Sequence, residues 1–229
     1  MYNEDLLMKY MVDSFNPSKP IVKIQKEPGP FITISRDFGC QANTISRMLQ
    51  EELAGKQQEW TILNKEIISE AAIKLGMDAR SVLNITEGYD RSHMDEVLRA
   101  LSERYYKSDR KVKKVVNSVI TAAAKKGNVI IVGRGGAAIT HDLKPSIHIK
   151  LYAPMEWRIE SLTARFHTTR EYMIREINKT DQLRNRLMSR ALRGTMDLNN
   201  IYDLQINCST ISQKQIVAMI MALMKERFK

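Results

Sequence analysis

Short apolar runs alternate with stretches of helical period along most of this chain. Phe31-Ile-Thr-Ile-Ser35 is apolar and β-branched, follows Pro28-Gly-Pro30, and predicts a buried strand. Ile45, Met48, Leu49 and Leu53 then recur at helical spacing. Residues 59–63 predict a second short strand, and Asn64 predicts the cap of a helix over 65–75 that Gly76 ends. Residues 77–92 are polar and without period, and a long helical region runs over 93–126 until Gly127-Asn128 stops it. Val129-Ile-Ile-Val132 predicts a strand buried on both faces, and 147–151 another. Ala153-Pro154 opens a helix carrying Arg158 and Arg165; a second helical stretch covers 169–193; a last strand at 202–207 precedes a last helix at 211–228.

Strands that alternate with helices build a parallel sheet covered on both faces, an α/β fold. Before it, residues 2–15 predict an amphipathic helix with Leu6, Leu7, Tyr10, Met11 and Phe15 apolar, broken by Asn16-Pro-Ser-Lys-Pro20. The expected division is an N-terminal helix and linker over 1–28 and a single domain over 29–229. The N-terminal helix is expected to pack on the outside of the core or on a second subunit of a homodimer.

Composition changes this picture little. The 229 residues suffice for one sizeable core, and no apolar run reaches the ~18 residues of a membrane span. The N-terminus is acidic where a secretory signal would be basic, so a cytoplasmic protein without membrane contact is expected. Cys40 and Cys208 lack metal-ligand spacing and are expected as reduced thiols. His93, His141, His148 and His167 follow no ligand pattern and read as structural or surface residues. A net charge of +10 calls for anionic partners: nucleotides, nucleic acid or acidic surfaces.

The candidate chemistry lies where strand 31–35 turns into the first helix. A strand, a tight loop with Gly39, and a helix N-terminus point free amides and the positive end of a helix dipole at one spot, where phosphate binds. The loop departs from G-x-x-x-x-G-K-[ST]: it has one glycine and no Lys, with Asn43-Thr44 where Lys-Ser/Thr would stand. Ligands of parallel sheets bind at the carboxyl ends of strands, which brings this loop and Gly133-Arg-Gly-Gly136 to one rim.

Together these pieces resemble the cytidylate kinase-like family of P-loop nucleoside monophosphate kinases. The resembling segments are Ile32-Thr-Ile-Ser-Arg-Asp-Phe-Gly39, Ile130-Ile-Val-Gly-Arg-Gly135-Gly136, Leu151-Tyr-Ala-Pro154 with Arg158, Ile177-Asn-Lys-Thr-Asp-Gln-Leu-Arg184 and Tyr202-Asp-Leu-Gln-Ile-Asn207, in the family's order. The family's loop typically reads S-R-[DE]-[FY]-G-S-G-G-R. Here Gln41 and Ala42 replace glycines, Asn43 replaces the basic residue, and Gly135 stands where the classical enzymes carry an Asp.

The resemblance implies a P-loop kinase-type three-layer sandwich: a five-stranded parallel sheet with helices on both faces, a helical acceptor-binding insert at about 64–126 and a helical lid at about 165–193. It implies transfer of the γ-phosphoryl of ATP to CMP, dCMP or a related monophosphate, with Mg²⁺. Arg36, Gly39, Cys40, Gln41, Ala42, Asn43 and Thr44 would hold the donor phosphates, the Thr44 hydroxyl serving the metal. Arg134, Arg158 and Arg165 would bind the acceptor. Lys179, Arg184 and Arg186 would supply the lid cations, with Asp181 orienting Arg184. Beside this stand three other readings. Arg184, Arg186, Arg190 and Arg193 also fit a solvated helix face, with Arg158 and Arg165 paired to Glu160 and Glu156. A nucleotide-binding pseudokinase or regulatory protein would keep the fold without turnover. A nucleic-acid binder would use the basic 158–193 stretch, although no aromatics are interleaved there as a stacking platform requires.

Overall fold

The structure, a computed structural model, describes residues 29–54, 59–64, 116–192 and 197–228. The expected helices at 2–15 and 65–75, the irregular stretch 77–92 and the first part of the 93–126 helix lie outside the described residues. So does most of the insert at about 64–126.

Five parallel strands form one sheet in the order β2-β3-β1-β4-β5. They are β1 (Phe31–Arg36), β2 (Thr61–Leu63), β3 (Val129–Val132), β4 (Ser146–Tyr152) and β5 (Leu204–Asn207). β1 lies in the middle, with Phe31 opposite Val129 of β3 on one side and Ser146 of β4 on the other. The described helices are 116–126, α1 (Ala42–Leu53), α2 (Gly136–Thr140), α3 (Met155–Phe166), α4 (Arg170–Ala191) and α5 (Gln213–Arg227), with a 3₁₀ turn at Leu198–Ile201.

Strand period sorts the sheet into two faces. Ile32, Ile34, Ile130, Val132, Ile147, Ile149 and Leu151 join Ile45 and Leu49 of α1 and Ile216 and Ile220 of α5 in one apolar core. Each such aliphatic side chain contributes about 1.5–3 kcal/mol on leaving water. On the other face, α2 packs so closely that a Cβ on Gly136 would meet Ile131 Cγ2 at 2.7 Å. There Ala137 and Ala138 form a second cluster with Met188 of α4, Leu192 that caps it, and Ile201 of the 3₁₀ turn. Helices thus cover both faces, as the alternation of elements predicts.

The second face is polar along its middle. Thr33 Oγ1 and His148 Nδ1 are 2.8 Å apart, and Ser35 bonds Tyr202. Asp203 accepts from the His148 amide at 2.7 Å and pairs with Arg227 at 2.7 Å. Burial holds the His148 imidazole neutral, its pKa lowered to about 4, and its Nε2 has no partner among the described residues.

Two boundaries differ from the sequence pattern. Tyr202 and Asp203 precede β5, which begins at Leu204 once Asp203 has been drawn to the His148 backbone. The segment after Gly135 is a one-turn helix, α2, too short to carry a helical period.

Candidate functional site

The centre of the carboxyl rim is the end of β1. Asp37 continues past the strand: its amide donates to Leu151 O at 2.9 Å, and its carboxylate pairs with Lys150 of β4. Cys40 N returns to Asp37 O (3.3 Å), Ala42 N to Cys40 O (2.7 Å) and Thr44 N to Gln41 O (3.1 Å), so the bend from Asp37 to Gln41 closes on itself before α1 starts. Gln41 caps α1 without a side-chain bond to the helix; its Oε1 instead accepts from Gln213 at 2.8 Å. Asn43 and Thr44 lie exposed on the first turn, whereas Ala42 is buried.

A helical arm, α3 followed by α4, closes over this bend. Ile159, Leu162, Met173 and Ile177 zip the two helices together, and Phe38 packs against them. Arg158 is buried, at 7% exposure, and works inward. Its Nε donates to Ala153 O (3.0 Å) and its Nη1 to Phe38 O (3.3 Å) and to Asp181 Oδ2 (2.5 Å). Asp181 Oδ1 accepts the Phe38 amide at 2.7 Å. One carboxylate therefore joins the arm, the buried guanidinium and the loop backbone. Arg184, one turn further along α4, donates to Arg36 O (3.2 Å) and lies 5.7 Å over the Phe38 ring. Burial pulls the Arg184 pKa below the ordinary arginine value while Asp181 and Asp37 resist that shift.

The second rim loop faces the first. Gly133, Arg134 and Gly135 have φ of 73°, 57° and 71°, three successive left-handed residues after β3. Arg134 holds that conformation at a cost of about 1–2 kcal/mol, the kind of strain found where side chains serve ligands. The Arg36 guanidinium lies across Gly133: a Cβ there would be 1.7 Å from Arg36 Nη1. Gly135 leaves room for Leu187 of the arm, 3.0 Å from where its Cβ would be.

Of the residues singled out in the sequence, Arg36, Gly39, Cys40, Arg158, Asp181 and Arg184 gather around the end of β1, with Arg134 on the adjoining loop. Lys179 and Arg186 are exposed on α4, and Arg165 is exposed over the Phe166 ring at 5.6 Å. Glu156, an expected partner of Arg158 or Arg165, takes Arg170 in a two-bond pair at 2.5 and 2.8 Å. Asp181 bonds Arg158 and the Phe38 amide, and it reaches Arg184 through charge across the cluster. The Asp37–Lys150 pair and Phe38 are not among those residues; a lysine in the middle of a buried strand is the available signal.

The sequence model of the cytidylate kinase-like family matches residues 31–210, the whole of the rim and arm. The chain belongs to the cytidylate kinase-like family. No curated protein matches the sequence. Among solved structures, an uncharacterized protein from Eubacterium ventriosum is similar in fold, with a TM-score of 0.61 at 16% identity, over 86% of this chain and 99% of that one. A shikimate kinase from Acinetobacter baumannii in complex with shikimate aligns at 16% identity with a TM-score of 0.46 over 87% and 94% of the two chains. A dephospho-CoA kinase from Campylobacter jejuni aligns at 12% identity with a TM-score of 0.43 over 88% and 99%.

Within this cytidylate kinase-like frame, a cavity of about 190 Å³ opens beside the loop, lined by Gln41, Trp157, Cys208, Ile211 and Gln213 among others. Cys40 is buried in the apolar core and Cys208 packs half-buried against that same core, its Sγ 4.0 Å from Ile206 O. The Cys208 thiol, and then burial, pushes the Cys40 thiol far up, and Cys40 in turn draws Cys208 down. Among the described residues no cluster of three His, Cys, Asp or Glu forms a metal site, and no helix is long and apolar enough to cross a membrane.

Proposed function

We propose that the protein is a nucleoside monophosphate kinase that transfers the γ-phosphoryl of ATP to CMP, dCMP or a related monophosphate. The observation that carries this reading is the convergence of three guanidiniums on one bend: Arg36 across Gly133, Arg158 beneath Phe38 and Arg184 above it. Phosphoryl transfer asks a protein chiefly for position and positive charge. The dipole and the exposed first turn of α1 would meet the donor phosphates, with Arg36 and Arg184 beside them. Arg134 would take the acceptor phosphate or base from the facing loop. The cavity beside Gln41 is mostly apolar and suits the donor base, with Trp157 on its wall.

The oxygen chemistry of the first turn fits magnesium, which keeps most of its waters and binds through one or two protein oxygens plus phosphates. The exposed Thr44 hydroxyl would hold it, and its charge would offset that of the phosphates. The protein's own residues do the remainder. Arg158 and Asp181 fix the bend, the arm excludes water, and the arginines oppose the charge spread over the transferred group.

The test is direct. Purified protein is incubated with ATP, Mg²⁺ and each nucleoside monophosphate in turn, and nucleotides are separated by chromatography. Formation of diphosphate from CMP or dCMP is the expected result, and no diphosphate from any acceptor would overturn the reading. A second reading, nucleotide binding without turnover, draws on Asn43 in place of a cation and on Asp181 occupying the Phe38 amide. It predicts thermal stabilisation by ATP, following RT ln(1 + [L]/Kd), with no product.

A further inference from the structure

The cavity beside the bend lies between two helix starts. Gln41 caps α1, and Gln213 is the first residue of α5. One turn into each helix, Ile45 and Ile216 are 1% exposed and pack in the same core, so both starts are fixed from below. Gln213 Nε2 donates to Gln41 Oε1 at 2.8 Å, and among the described residues neither side-chain amide makes another hydrogen bond. Both amides line the cavity.

A primary amide carries two N–H donors and a carbonyl with two lone pairs. One bond between two amides uses a single donor and a single lone pair, so the pair still has donors and acceptors to offer. Ser212 is the one hydroxyl on the wall among the described residues, and it is committed to the capping box. Its Oγ donates to Gln215 Oε1 at 2.9 Å and accepts from Gln215 N at 3.4 Å. No charged side chain lines the cavity among the described residues, and Trp157, Ile45 and Ile216 make its walls apolar. Such a site suits a flat, uncharged ring with a polar edge.

We propose that the bonded Gln41–Gln213 pair reads the edge of the donor base and selects adenine over guanine. This rests on the place given above to the donor base. Adenine sets an amino donor beside a ring-nitrogen acceptor, a pattern that a glutamine amide meets with two bonds. Guanine sets two acceptors, N7 and O6, side by side, a pattern that Arg or Lys meets. Its other edge presents N1–H and N2–H, which suit a carboxylate. Among the described residues the wall has neither cation nor carboxylate. A lone amide could turn over to serve guanine O6 and N1–H as well. Bonded to its neighbour, each amide is held one way round, so a base with the reversed order leaves polar atoms without partners. That loss is what rejection of the wrong base requires.

Isothermal titration calorimetry of the full chain with ADP and with GDP tests the assignment. ADP is expected to bind about tenfold to a hundredfold more tightly than GDP. Q213L removes the donor to Gln41 and should bring the two nucleotides within about threefold of each other. Q213E, which has acceptors alone, should shift the ratio towards GDP. Tripolyphosphate, which has no base, should bind wild type and Q213L alike. Equal affinity for ADP and GDP in wild type, or a preference that survives in Q213L, would overturn the proposal. So would a loss of tripolyphosphate binding in Q213L as large as its loss of ADP binding, since the bond would then serve the bend and not the base. If ADP is preferred but no acceptor yields diphosphate, the kinase reading fails and the base assignment stands. If CMP is phosphorylated equally well from ATP and GTP, the kinase reading stands and the base assignment fails. A chain that binds neither ADP nor GDP overturns both.

Discussion

Replacing Asp181 by Ala removes two bonds at once: the pair with Arg158 Nη1 and the acceptor of the Phe38 amide. Arg158 keeps its carbonyl partners Ala153 and Phe38 but loses the only carboxylate that touches it among the described contacts. An unpaired, fully buried charge costs about 3–5 kcal/mol. The Asp181 side chain is 20% exposed, so water reaches part of the vacated space and the expected loss falls to about 2–3 kcal/mol, the orphaned amide included. For a chain of this length each kcal/mol lowers Tm by about 2–4 °C, which gives roughly 4–12 °C. D181N keeps an oxygen for one bond and loses the charge, so about half that drop is expected. Differential scanning calorimetry of D181A, D181N, R158M and the R158M/D181A double variant reads this. The double variant should lose at least ~0.5 kcal/mol less than the sum of the singles, because both changes remove one shared contact. A D181A protein melting within about 1 °C of wild type, or strict additivity in the cycle, would refute the account of the carboxylate as the joint between arm and loop.

Acidification is expected to weaken the fold through His148. Its folded pKa of about 4 lies below the unfolded value near 6.5, so the unfolded chain binds the proton first. Stability is intact above pH 6.5 and falls by up to about 3 kcal/mol towards pH 4, which urea midpoints across that range would read. An imidazole that titrates near pH 6.5 by NMR would contradict it. Asp203 adds to the same trend: burial pushes its pKa up, but the His148 amide and Arg227 outweigh that and hold it below the ordinary carboxylate value. G133A should cost about 1–2 kcal/mol in chemical unfolding, since φ is 73° there and the new methyl must expel the Arg36 guanidinium. It should weaken ATP-induced stabilisation as well, whereas a change that left Arg36 in place would not. S212A removes the capping box of α5 and should lower stability by about 1 kcal/mol without altering the helix content seen by circular dichroism.

The sheet was legible in the sequence because its strands are short, apolar and bounded by glycine, proline or asparagine, and because Val129–Val132 is buried on both faces. The position of the rim loops followed from that topology alone. What the sequence left open was pairing. Asp181 has Arg158, Arg184 and Arg186 as conceivable partners, and spacing along α4 favours the near ones. The buried one, 23 residues back, takes the carboxylate because its need for a counter-charge is greater. Glu156 goes to Arg170 across the α3–α4 turn for the same want of local rules. Cys40 and Cys208 read in the sequence as two distant thiols; that both meet one apolar core follows only once β5 closes the sheet beside β4. Arg36 could have turned either way after β1; the missing Cβ at Gly133 decides it.

Because β1 has a hydrogen-bonded neighbour on each side, the root of the bend at Arg36 is held as firmly as any point in the molecule. Local opening near the bend is therefore expected beyond that root, where the ladder no longer holds the chain.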